Sequence, residues 1–126
     1  MDSNGYDRGI VETYRFPAAT LSAAAVVGRF IGPAGKVGRI VNVFHVVTTD
    51  VTVAAAAVTV GANGATSPLS HTVPVSAAGA AVAIPRATVR ARASTAELPA
   101  DTVIEVASDG GPTAGAADLV VTVNWY

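Results

Sequence analysis

The last eight residues, Leu119-Val-Val-Thr-Val-Asn-Trp-Tyr126, decide the fold class. Leu119, Val121, Val123 and Trp125 alternate with Val120, Thr122, Asn124 and Tyr126. A period of two puts the first set on one face of an extended chain and the second on the other. The strand is expected to run to the final residue and to fasten the C-terminus in a sheet. Trp125 shares the apolar face and is expected in the core.

Similar runs recur upstream, separated by breakers. Ile10–Phe16 alternates, with Ile10, Tyr14 and Phe16 on one face and Thr13 and Arg15 on the other; Glu12 interrupts the apolar side. Leu21–Ile31 is expected as a long strand of small residues, although Ala18–Ala25 also permits a helical turn. Gly32-Pro33-Ala34-Gly35 forms a tight turn, Pro presetting φ and Gly accepting φ > 0. Lys36–Thr49 is the longest run. Val37, Val41, Val43 and Val47 fall on one face and Ile40, Phe44 and Val46 on the other, so the strand is expected to be apolar on both sides. Val51–Val60 precedes an Asn63-Gly64 hairpin turn. Leu69–Ser76 contains Pro74 and is expected at a sheet edge. Ala80–Ile84, Ala87–Ala93 and Thr102–Ala107 complete the set, and Asp109–Gly115 is a loop.

Composition agrees. Ala and Val number 26 and 21, and Val with Thr makes 34 β-branched residues, against four Leu and one Lys. The chain is expected to be all-β: a single-domain antiparallel β-sandwich, jelly-roll-like, of eight or nine strands over residues 10–126. Residues 1–9 lack a core-forming pattern and are expected as a flexible N-terminal arm.

The same arithmetic excludes several functions. Only 13 % of residues are charged and the net charge is −1, which argues against a nucleic-acid binder that neutralises phosphates. With no Cys there is no disulfide and no thiolate chemistry. The polar, acidic start is the reverse of a signal peptide. Val51–Pro85 carries no charge, but Pro, Gly and Asn interrupt it too often for a membrane span. His45 is expected to be a hydrogen-bonded structural residue and His71 to be solvated; no spacing suggests a metal site. Glu97, Asp101, Asp109 and Asp118 are scattered, and no nucleophile, phosphate or dinucleotide motif is present. No catalytic, cofactor-binding or metal-binding residue is expected.

One constellation remains. Arg86, Thr88, Arg90, Arg92 and Ser94 fall two residues apart, so a strand presents them on one face. Three of the eight cations on one stripe suit contact with an acidic partner, because Arg forks grip carboxylates bidentately. The simpler reading is a solvated face that discourages edge pairing.

The segments Gly28-Arg-Phe-Ile-Gly-Pro-Ala-Gly-Lys-Val-Gly-Arg-Ile40, Val58-Thr-Val-Gly61, Glu97-Leu-Pro-Ala-Asp-Thr-Val-Ile-Glu-Val106 and Asp118–Tyr126 together resemble capsid decoration, or cement, proteins of tailed bacteriophages. The resemblance extends from about Ile10 and lies in strand-and-turn patterns. It implies a non-enzymatic jelly-roll-like protein on the outer surface of the phage head. It also implies bridging of major capsid protein subunits, as a dimer or trimer, without cofactor, nucleic acid or membrane. The arm, with Tyr6, Asp7 and Arg8, and the stripe of Arg86, Arg90 and Arg92 are then the expected contact residues. The alternative is a carbohydrate- or receptor-binding sandwich of a phage tail or cell surface, which needs exposed aromatics.

Overall fold

The structure is a computed structural model that describes residues 9–62, 69–83 and 97–126. The described chain is all-β. Nine strands run in order: β1 (Ile10–Thr20), β2 (Ala24–Phe30), β3 (Gly38–Thr52), β4 (Ala56–Ala62), β5 (Leu69–Val73), β6 (Ala81–Ala83), β7 (Glu97–Leu98), β8 (Ile104–Asp109) and β9 (Ala114–Trp125). They form two antiparallel sheets. One has the order β1-β9-β3-β6, with the short β7 added to β3; the other is β2-β8-β4-β5. Successive strands hop between the sheets, save β4–β5 and β6–β7, and chain-terminal β9 lies between β1 and β3. That order is a jelly roll, two Greek keys wrapped into a sandwich.

β9 behaves as its sequence demands. Leu119, Val121, Val123 and Trp125 are buried, and the residues between them are only partly so. The strand starts earlier than its alternation reveals, at Ala114, because alanine and glycine give no face signal. It pairs with β1 from Ile10↔Trp125 to Thr20↔Ala116 and with β3 from Gly38↔Trp125 to Thr52↔Ala114.

β3 is not buried on both faces. Its register shifts between Ile40 and Asn42, so one residue is extra there. Such a bulge inverts the alternation. Ile40 faces the core before it; Val43, His45 and Val47 face the core after it. Phe44 and Val46 lie on the half-covered outer side. Two apolar half-faces of opposite parity look like two apolar faces when the bulge is unseen.

Two other expectations change. Pro17 lies inside β1, tolerated because β1 is an edge strand bulged between Phe16 and Ala19. Leu21 does not begin a strand. It fills the corner between β1 and β2, fully buried, its N–H donating to Gly115 O (3.0 Å) and its C=O accepting from Ser108 Oγ (2.9 Å). The long strand expected over Leu21–Ile31 is thereby shortened to β2, and no helical turn forms. The Gly32–Gly35 turn is present, with Lys36 N–H donating to Pro33 O and Gly35 at φ 75°. β5 is a sheet edge that stops before Pro74. The Asn63-Gly64 turn and the Ala87–Ala93 strand lie outside the described residues.

The sandwich has two unlike ends. At the Trp125 end, β1, β3 and β8 begin and β2, β4 and β9 finish. At the Asp109 end the chain crosses between sheets four times, through the β1–β2, β3–β4, β5–β6 and β8–β9 connections.

Candidate functional site

The carboxylates are the first place to look for chemistry, and each described one has a partner. Asp50 Oδ1 accepts Ala78 N–H (2.9 Å), and Asp118 Oδ1 accepts Ala18 N–H (2.7 Å). Asp101 Oδ1 accepts Gly35 N–H (2.8 Å). Asp109 Oδ1 accepts both Gly111 N–H (3.0 Å) and Ala57 N–H (3.1 Å), which hold its carboxyl below the usual range. Glu105 pairs with Arg29 (3.0 Å). Glu97 accepts the Tyr126 hydroxyl, which in turn accepts from Arg39 Nη2 (3.1 Å each). These bonds fasten turns and strand ends. They do not converge on a common cleft, and no two of these carboxylates share a partner. Among the described residues no group of three His, Asp or Glu stands close enough to hold a metal ion.

Glu12, the residue that interrupts the apolar side of β1, belongs to the Trp125 end. Tyr14 donates its hydroxyl to Glu12 Oε1, and Trp125 Nε1 donates to Tyr14 Oη (3.0 Å). Burial, reinforced by the bond to the Glu12 carboxylate, pushes the Tyr14 hydroxyl up to about 12. Tyr14 stacks on Phe30 at 4.1 Å between centroids, and Phe30 meets Trp125 edge-on at 6.4 Å. The indole fits because β3 begins with glycine: a Cβ on Gly38 would stand 2.6 Å from Trp125 Cζ3. Trp125 is thus inside the sandwich, which removes the aromatic best suited to a glycan platform. Around this buried cluster runs an exposed apolar rim of Ile10, Ile31 and Val103. Tyr126 stays partly exposed beside it, with the Arg39 guanidinium 5.4 Å over its ring.

The second polar feature is internal. His45 on β3 and His71 on β5 meet between the sheets, His45 Nδ1 to His71 Nε2, at 2.6 Å. His45 is a hydrogen-bonded structural residue, as expected. His71 is not solvated: it is 3 % exposed. A place on an edge strand suggests solvent, but edge strands still have an inner face, and His71 and Val73, of one parity, share it. Burial lowers both imidazoles; His71 falls to about 4, with the His45 ring adding to the effect. His45 Nε2 is buried with no hydrogen-bond partner among the described residues. The single clue in the sequence was that parity, with Val73 on the same face.

The expected contact residues Tyr6, Asp7, Arg8, Arg86, Arg90 and Arg92 all lie outside the described residues. No helix among the described residues is long and apolar enough to cross a membrane.

No family model and no curated protein matches this chain. Among solved structures, a chain from the capsid of Ralstonia phage GP4 is similar over 94 % of this chain and 84 % of its own length, at 19 % identity and a TM-score of 0.52. A pilus chain of Bacillus endospore appendages is similar over 92 % and 86 % at 11 % identity and TM-score 0.42. A chain of infectious bursal disease virus, Gx strain, is similar over 92 % of this chain and 33 % of its own, at 18 % identity and TM-score 0.43. The chain is therefore a jelly-roll β-sandwich sharing its fold with a phage capsid chain, and each of its described carboxylates is engaged in a structural contact.

Proposed function

We propose that this chain is a non-enzymatic structural protein of a virion that binds the outside of a phage head and bridges neighbouring major capsid protein subunits. The observation that carries the reading is the fold likeness to the GP4 capsid chain over nearly the whole length. The engagement of every described carboxylate in a structural contact supports it, since an active site keeps groups available for substrate. A small symmetric oligomer, dimer or trimer, suits repeated positions between capsomers.

The contacts proposed are the arm and the basic stripe. Tyr6, Asp7 and Arg8 precede Gly9, which lies against the Trp125 main chain beside exposed Ile10. The arm would order on a neighbouring subunit, burial offsetting the entropy lost per residue. Arg86, Arg90 and Arg92 would pair with acidic groups of the head, making attachment salt-sensitive.

The test is sedimentation of purified heads with three proteins: the intact chain, one lacking residues 1–9, and an Arg86→Ser, Arg90→Ser, Arg92→Ser variant. The intact chain should co-sediment and appear as ordered density on the outer surface. Arm deletion should lower occupancy, and the triple variant should lose affinity and salt dependence together. Failure of the intact chain to bind expanded heads overturns the function. Unchanged binding by either variant overturns only that contact.

A further inference from the structure

The His45–His71 contact has a property that packing alone does not require. It is a polar tie between the two sheets in an interior where, among the described residues, Ser108 is the other buried polar side chain. His45 is flanked along β3 by Val43 and Val47 and lies opposite Leu119 of β9. His71 lies opposite Val58 of β4 and is followed on the same face by Val73. From β8 the inner face offers Ile104, Val106 and Ser108. β4, β5 and β6 contain no ionisable residue other than His71. On β3 and β9 the charged residues are Arg39, Asp50 and Asp118; Arg39 and Asp50 are exposed, and Asp118 binds Ala18 N–H. On β8, Glu105 pairs with Arg29 and Asp109 binds backbone N–H groups. Among the described residues, each imidazole therefore faces only the other as a titratable group.

We propose that this pair is an acid-sensitive latch that holds β5 against the opposite sheet. Its protonation chemistry follows from the geometry. A 2.6 Å contact between two ring nitrogens needs one proton between two lone pairs. Neutral His45 with its proton on Nδ1 can donate to His71 Nε2, and the sealed Nε2 of His45 then needs no acceptor. A first added proton puts an uncompensated cation between the sheets. A second leaves an N–H on both facing nitrogens, and the bond is replaced by repulsion. β5 is the element that gives way: it is a five-residue strand whose one ladder partner among the described residues is β4. β9, paired on both sides, stays closed.

The sign of the effect is fixed. Both folded-state imidazoles titrate below the ordinary 6.5. The latch is therefore at full strength above about pH 6.5 and weakens as the pH falls from there toward about 4. Amide hydrogen exchange at pH 7.5 and pH 5, normalised for intrinsic rates, should show β5 opening increased roughly tenfold or more at the lower pH, with β9 unchanged. In a His45→Leu, His71→Leu variant the β5 difference between the two pH values should vanish. Imidazole NMR titration of the unaltered protein supplies a second measurement, independent of that variant's folding: both rings should titrate below the ordinary 6.5, His71 at about 4. Titration of both rings near 6.5, or the same pH dependence in the double variant, overturns the proposal.

Discussion

The two ends of this sandwich are held together by different physics. At the Trp125 end, aromatic rings from β1, β2 and β9 pack on one another and on the glycine that opens β3. At the Asp109 end, three aspartates accept backbone N–H groups from connections or strand ends: Asp50 from Ala78, Asp118 from Ala18, and Asp109 from Ala57 and Gly111. The first kind of cohesion depends on volume and shape, and the second on hydrogen bonding to charge. The chain places each where the backbone needs it. Crossovers between sheets leave N–H groups outside any ladder, and a short carboxylate is the side chain suited to collect them. The Trp125 end has crossovers too, β2–β3 and β7–β8, and there Asp101 accepts Gly35 N–H; what sets that end apart is the aromatic interior added to this bond.

The largest effects should therefore come from volume changes at the Trp125 end. Trp125→Ala removes a fully buried indole together with its bond to Tyr14, and should cost about 3–5 kcal/mol in urea unfolding. Gly38→Ala approaches the same contact from the other side and should cost about 1–3 kcal/mol, because its Cβ intrudes on the ring and on Val123. Combined, the two should be far from additive, the vacated indole space accepting the new methyl. Additive losses would mean that Gly38 is required for something other than the ring.

An intermediate effect is expected at the opposite end. Asp109→Ala leaves two exposed N–H groups to water and should cost about 1 kcal/mol. Its pH dependence separates the two ends. The Asp109 carboxyl is held below its ordinary 3.8, so its stabilisation is present above about pH 4 and is lost as the pH falls through the lowered value. The difference between Asp109→Ala and the unaltered protein should shrink in urea titrations at pH 3, whereas that for Trp125→Ala should persist. A pH-independent Asp109→Ala loss would assign this aspartate a packing role and dissolve the contrast.

The two ends were not equally legible in the sequence. The aromatic end could be read because alternation states which face is inside: β9 announced Trp125 as core, and β1 announced Tyr14 and Phe16 as neighbours. Glu12 breaks that pattern, and although the same alternation places Tyr14 on its face two residues on, nothing local shows that the Tyr14 hydroxyl turns to its carboxylate. The bulge after Ile40 was invisible because valine suits either face, and it is what made β3 seem apolar on both sides. Leu21 reads as a strand residue because nothing local distinguishes a buried corner from a buried strand; only Gly115 and Ser108, about 90 residues away, make it a corner. His71 reads as solvated for a related reason. Pro74 correctly marked an edge strand, but an edge concerns unpaired main chain, and burial of a side chain depends on which face it leaves. Tyr6–Arg8 and the Arg86–Arg92 stripe are proposals of the sequence alone, and the head-binding variants test them.

The smallest expected effect concerns how the Asp109 end turns its corners. Val53 has φ 75° and sits between Thr52 O and Ala54 N–H, which are bonded at 2.9 Å, so a γ-turn joins β3 to β4. A β-branched residue is strained there, and Val53 is 78 % exposed, so no packing compensates. Val53→Gly removes that strain, about 1–2 kcal/mol for a left-handed residue, while the glycine returns roughly 0.5–1 kcal/mol as unfolded-state entropy. The net expectation is a gain below about 1 kcal/mol, read as a small rise in the thermal midpoint. Val53→Ala separates the causes: it sheds exposed apolar surface but keeps Cβ, so it should gain less than the glycine. Equal gains would trace the cost to surface exposure. A loss with glycine would mean that the corner depends on valine, and that the Asp109 end, like the other, is held by its side-chain volume.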